Sequence, residues 1–244
     1  MKEIDDILLS KFQTRSCEEI QDGLFFASKL VKMTGKQYAY TGAHHSKWTT
    51  SIQQIIGSAV GDRILDGFDC EMGAVTSFDD FKIAFSVDGF LSTEKANIFL
   101  EHKFFWKGEL DAMKLRLALS QLTFYAALAQ KSKYLRRSRF AQERLGVKEL
   151  KLDMKKDCIG IVIITTPENI FCIEKNLTER KMDQAVTLYC KKAKAIQKAV
   201  MNRDWNDIKE WDTKYKRKEQ DVLWKDIELD DFRQIISMPQ YIKK

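Results

Sequence analysis

A mixed central β-sheet flanked by helices, an α/β fold with further helices at both ends, is what this sequence predicts. Three observations carry that expectation. Two runs, Phe81 to Asp88 and Asn97 to Phe105, alternate with the period of two that marks a half-buried strand. From Glu109 to about Lys131, and again from about Thr178 to Asn202, the apolar period lengthens to three or four, as in helices. Only two prolines interrupt the 244 residues, and no Gly/Ser linker, repeat or low-complexity tract divides them. A single domain over 1–244 is therefore expected, with its core at about 50–200 and a helical extension over 205–244.

Along the chain, the first fifty residues read as mixed helix, with Leu8, Leu9, Ile20, Leu24, Phe25 and Leu30 facing a core. A helix is expected from Thr49 to Leu65. In the first strand, Phe81, Ile83, Phe85 and Val87 share one face, so Asp88 points away from the apolar row, and Gly89 follows where a strand can end or bend. In the second, Ile98, Leu100 and His102 share one face and Phe99, Glu101 and Lys103 the other, which sets a Glu and a Lys side by side.

The next helix carries Leu110, Met113, Leu117, Leu122 and Leu128 with several alanines, a composition for a largely buried helix. Gln121 and Tyr125, four apart, stack on one of its faces. As its extension comes a basic strip, Lys131, Lys133, Arg136, Arg137, Arg139 and Arg144, with Tyr134 and Phe140 interleaved. Cys158 to Thr165 and Ile170 to Glu174, joined by Thr166-Pro167-Glu168-Asn169, read as a β-hairpin. In the helix after it, Met182, Val186, Tyr189, Ala193, Ile196 and Val200 form the inward stripe, beside the basic residues Lys191, Lys192, Lys194, Lys198 and Arg203. The tail mixes Trp205, Trp211, Trp224 and Phe232 with dense charge and reads as an amphipathic helix that covers the sheet or meets another subunit.

An acid on one strand, Glu-x-Lys on the next, Gln-x-x-x-Tyr on the following helix and two further strands resemble the RecB-like branch of the PD-(D/E)xK nuclease superfamily, over roughly Ile55 to Asn176. The resemblance implies a restriction-endonuclease-like core. It also implies metal-dependent hydrolysis of DNA phosphodiester bonds, as an exonuclease in replication, recombination or repair. In that scheme Asp88 and Glu101 are metal ligands, joined by the backbone carbonyl of His102. Lys103 holds the attacking water or the pentacoordinate phosphate, and Gln121 and Tyr125 help position the substrate backbone and the lysine. Two carboxylates at a strand bend also suit Mg²⁺ on chemical grounds, with Mn²⁺ as a substitute. Such an ion lowers the pKa of bound water and neutralises charge on the phosphoryl oxygens.

The family pattern adds a histidine or carboxylate from an N-terminal helix, and here the sequence departs from it. Gly57-Ser58-Ala59-Val60 is followed by Gly61, with Asp62 one residue later. The extra ligand is left between Asp62 and Glu71, and the number of metal ions with it. His44 and His45, in a polar stretch, read as solvent-exposed or capping residues.

The formal net charge is +6, a modest excess that fits DNA as partner when it is concentrated in the strip of Lys131, Lys133, Arg136, Arg137 and Arg139 along the path of a phosphodiester backbone. A solvated charged face is the plainer reading of that strip. No apolar run approaches membrane-spanning length and Met1 to Asp6 lacks a signal pattern, so the expectation is a cytoplasmic protein without a membrane partner, in the host cytoplasm if viral. The five cysteines, Cys17, Cys70, Cys158, Cys172 and Cys190, form no Cys-x-x-Cys. They are too dispersed for zinc or for the iron-sulfur cluster of some RecB-like nucleases, and free thiols are expected. A homo-oligomer is compatible with the sequence. Three alternatives stand: a structure-specific endonuclease acting on branched DNA, a non-catalytic nucleic-acid-binding protein of the same fold, and an interaction protein working through its Trp-rich tail.

Overall fold

The period-two run around Phe85 builds β3 (Lys82–Ser92), in which Ile83, Phe85 and Val87 are buried while Lys82 and Ser86 are exposed. This is a computed structural model, and it describes residues 20–32, 38, 61, 64–105, 112–137, 142–143, 145–202, 223–231 and 233–234. The other strands are β1 (Leu24–Phe26), β2 (Asp69–Ser77), β4 (Ala96–Phe104), β5 (Tyr134–Arg137), β6 (Glu149–Lys151), β7 (Asp157–Thr165), β8 (Ile170–Asn176) and β9 (Arg233–Gln234). Three helices accompany them among the described residues: α1 (Ala27–Lys32), α2 (Ala112–Ser132) and α3 (Glu179–Asn202).

The strands form one sheet in the order β6-β5-β2-β3-β4-β7-β8-β9, with β1 against β3 off that path. β4 pairs in parallel with β7 and β1 in parallel with β3, and the remaining pairs are antiparallel. Parallel pairing of β4 with β7 requires a crossover, which α2 supplies across one face of the sheet. Because α2 lies between the sheet and α3, it is buried nearly all round, and Leu115, Leu119, Leu122, Phe124 and Leu128 are inaccessible. The Phe124 ring packs 4.8 Å from that of Tyr189 on α3. On the opposite face, Ile98, Leu100, Ile161 and Ile163 pack under Ile64, Leu65 and Phe68. β4 and β7 are thus covered on both sides, which explains their near-continuous apolar runs.

One edge of β3 is shared, and that sharing positions the site. Along the edge away from β2, Lys82 to Ala84 pair with β1, whereas Gly89 to Ser92 pair with β4. Between these pairings the edge has no partner among the described residues, and β4 leaves β3 beyond Leu100. Asp88 sits at this fork. The facing of β3 also switches here, since Phe90, of opposite parity to Val87, lies in the same core and meets Phe99 at 5.3 Å. Directly after β1, α1 enters beside the fork, and the buried Lys192 of α3 donates to the carbonyl of Leu30 at 2.7 Å.

The fold class is the expected one, a mixed α/β architecture consistent with a restriction-endonuclease-like core. The two expected strands, the hairpin and both long helices are present. Of the two outcomes open at Gly89, an end or a bend, β3 takes the second: its facing switches there and it runs on to Ser92, because β2 and β4 both continue to pair with it. Several expectations need correction. The basic strip is not a helical extension: α2 stops at Ser132, Lys133 takes a left-handed φ of 62°, and Arg136 and Arg137 lie on β5, held between β2 and β6. Lys192 is 2 % exposed and belongs to the core of α3, not to its basic face. The described part of the tail is a turn, a short 3-10 segment (Leu229–Asp231) and β9, not an α-helix. No helix among the described residues is long and apolar enough to cross a membrane.

Candidate functional site

At the fork the sequence brings two carboxylates together. Asp88 accepts a hydrogen bond through Oδ2 from the His102 backbone N–H at 2.8 Å, which spans the gap where the β3–β4 ladder has stopped. Glu101 is 2 % exposed. Its Oε1 accepts from the Gln121 amide at 2.7 Å and from the Lys103 ammonium, whereas Oε2 is buried without a partner. The same Gln121 nitrogen donates to the Tyr125 hydroxyl at 2.7 Å, and Ser28 of α1 also hydrogen-bonds Tyr125. The Tyr125 ring lies 5.5 Å from that of Phe85. Gln121 and Tyr125 therefore form a buried brace that aims Glu101.

The electrostatics follow from this crowding. Burial, and then the charge of Asp88, raise the Glu101 pKa above its usual value, against the pull of Lys103 and Lys32. Burial disfavours the Lys103 ammonium, but the charges of Glu101 and Asp88 outweigh it and hold its pKa raised. Tyr125 is pushed well above its usual value, by burial first and by the two carboxylates next. Its hydroxyl stays protonated and neutral. The His102 side chain projects to the opposite face of β4 from Glu101, where Nε2 meets the Thr165 hydroxyl at 2.8 Å, and burial followed by the Lys103 charge lowers its pKa to about 4.

Lys32, the last residue of α1, was absent from the sequence reading, as was Ser28. The fields of Lys103, Glu101 and Asp88 all act on Lys32, and its ammonium lies within hydrogen-bonding reach of Lys103. Desolvation, then the Lys103 charge, lower its pKa. Ser28 and Lys32 are four apart, so one face of α1 carries both to the site. That spacing was the available signal, but the short helix that contains it has no period long enough to read.

Of the other expected residues, Asp62 and Arg139 lie outside the described residues, as do His44, His45 and Cys17. Gly61 stands over His102: a Cβ there would be 3.1 Å from Nδ1. Glu71, with φ 52°, lies on β2 opposite Asp88, bracketed by the pairs Cys70 with Gly89 and Met72 with Val87. Among the described residues no group of three His, Cys, Asp or Glu side chains converges as a metal site. The basic residues gather elsewhere. Lys131 lies 5.3 Å over the Phe78 ring, Arg136 pairs with Glu149, and Arg137 donates to the carbonyls of Leu145 and Gly146. β5 is three strand spacings from β4 in the sheet order, about 15 Å. Cys158 and Cys172 are free thiols belonging to different cores, on opposite faces of the sheet.

No family model matches the chain, and no curated protein matches it. Among solved structures, one described as "Crystal structure of SSO0001" is similar at 16 % identity, covering 77 % of this chain and 86 % of that one with a TM-score of 0.45.

Proposed function

We propose that this chain is a divalent-metal-dependent deoxyribonuclease whose centre is Asp88, Glu101 and Lys103. The observation that carries the reading is the partnerless Oε2 of Glu101, buried beside a second carboxylate. A buried carboxylate oxygen without a donor is costly, and a cation between the two acids would relieve both that cost and their repulsion. The donor set fits such an ion. Asp88 has one oxygen committed to His102 and Glu101 one committed to Lys103 and Gln121, which leaves one oxygen from each. Mg²⁺, bound through one or two carboxylates with the remaining positions left to water and phosphate, suits this set better than Ca²⁺ with its six to eight oxygens.

Asp88 and Glu101 would hold the ion, which supplies an activated water and neutralises charge on the phosphoryl oxygens. Gln121 keeps Glu101 aimed with Oε1 occupied, and Tyr125 keeps Gln121 aimed. Lys103, charged and partly exposed, is the group able to donate to a phosphoryl oxygen or to the attacking water. An exonuclease is the form of this activity favoured by the family resemblance, with DNA as partner.

The test is to incubate labelled single-stranded, duplex and branched DNA with the protein, with and without Mg²⁺. Wild type should cut only with the metal, and Asp88→Ala, Glu101→Ala and Lys103→Ala should each lose at least about 100-fold in rate. Cleavage that persists in all three variants would sink the site. DNA binding without cleavage under any divalent ion would identify a non-catalytic binding protein instead, and preference for branched over linear DNA would identify the structure-specific endonuclease.

A further inference from the structure

Lys32 has no role in the reading so far, and its placement calls for one. β1 occupies the edge of β3 that β4 has left, and α1 follows β1 directly into the neighbourhood of the fork. The helix is fixed there at two points: Lys192 holds the carbonyl of Leu30, and Ser28 bonds the Tyr125 hydroxyl. Its last side chain, on an exposed residue, then ends beside Lys103.

Two ammonium groups this close repel each other, and the two carboxylates compensate for them only while no cation is bound. Asp88, Glu101, Lys32 and Lys103 sum to no net charge. A divalent cation on the acids would make the cluster strongly positive, a charge that a phosphodiester balances and water does not. Lys103 is tied to Glu101 and only partly exposed, whereas Lys32 is exposed. The Lys32 ammonium is desolvated within the cluster beside Lys103, but it sits on an exposed residue at the end of α1, from which it can turn to an anion entering the fork.

We propose that Lys32 is a second phosphate ligand of this site, contacting the DNA backbone at or next to the phosphodiester held by Asp88, Glu101 and Lys103. The assignment rests on the deoxyribonuclease reading above. It makes α1 part of the substrate-binding wall and the β3–β4 fork the entry for the DNA strand.

The experiment measures binding of a fluorescent 20-base-pair phosphorothioate duplex, whose linkages resist hydrolysis, with Mg²⁺ held at a low fixed concentration, across a series of monovalent salt concentrations. Lys32→Met should weaken binding about tenfold and reduce the slope of log affinity against log salt by about 0.9, the value for one lost phosphate contact. Lys32→Arg should restore both. Lys155→Met, at the far end of β4 where Ala96 pairs with Asp157, removes the same net charge and should leave affinity and slope near wild type. Circular dichroism and a thermal melt establish that each variant is folded. A Lys32→Met variant that matches wild type, or matches Lys155→Met, overturns the assignment while wild-type cleavage keeps the nuclease reading intact. A wild type that neither binds nor cuts DNA overturns both.

Discussion

A single hydrogen bond, from the His102 N–H to Asp88, does at residue scale what the sheet ladder no longer does at the fork: it keeps the two acids beside each other. His102 itself is a pH-sensitive point of the fold. Its pKa is lowered to about 4 from an ordinary 6.5, so the folded protein prefers the neutral ring. The sign follows directly. The contribution is fully present above about pH 6.5, is lost as pH falls toward 4 while the unfolded chain takes up a proton that the folded chain refuses, and amounts to at most about 3 kcal/mol. Titration of the ring by NMR should give a midpoint near 4, and a midpoint near 6.5 would show that the ring is solvated. Asp88, Glu101 and Lys103 were legible in the sequence because a period of two puts Glu101 and Lys103 on one face of one strand. Lys32 and Ser28 were not, since only tertiary packing brings α1 to residues about 70 positions away.

At the scale of elements, the strands that were legible are those buried on a clean alternating or continuous pattern, β3, β4, β7 and β8. β2 was missed. Its sequence, Asp69-Cys70-Glu71-Met72-Gly73-Ala74-Val75-Thr76-Ser77, interrupts β-formers with Gly, Ala and acids, residues depleted in strands. It is a strand because β3 and β5 pair on its two sides. β5 was misplaced on a helix because Leu and Arg are good helix formers, and pairing on both edges overrides that preference. The glycine in β2 has a concrete reason to be there. A Cβ at position 73 would collide with the Phe85 carbonyl oxygen and come within 2.9 Å of the Ser86 Cα, all backbone that cannot swing aside. Gly73→Ala should therefore cost about 3 kcal/mol or more, read as a lowered urea midpoint. A variant as stable as wild type would mean that β2 and β3 do not approach so closely.

For the molecule as a whole, the two ends of the described chain are joined to one sheet, β1 on β3 and β9 on β8. The C-terminal segment also fastens α2: the Trp224 indole N–H donates to Thr123 at 2.9 Å, and Arg116 reaches the Ile227 carbonyl at 2.7 Å and the Glu228 carboxylate. The sequence left the tail to cover the sheet or to meet another subunit, and its described part packs on α2 and adds β9 to the sheet. It did not signal β9, since two residues carry no periodicity.

The parallel join between β4 and β7 has a kinetic consequence. Beyond Leu100, β4 has β7 as its sheet partner among the described residues, and Glu101 pairs with Val162, about 60 residues later in the chain. The hairpins β2–β3, β3–β4 and β7–β8 close over short turns and can form early, whereas this join must wait for a long loop to close. Glu101 and Lys103 are therefore set in place against β7 only after those hairpins exist. Truncating the buried Val162 to Ala should speed unfolding while leaving the refolding rate almost unchanged in stopped-flow measurements. A slowed refolding limb would place the join in the nucleus. A chain stalled before that join would thus hold its hairpins while Glu101 and Lys103 were not yet fixed against β7.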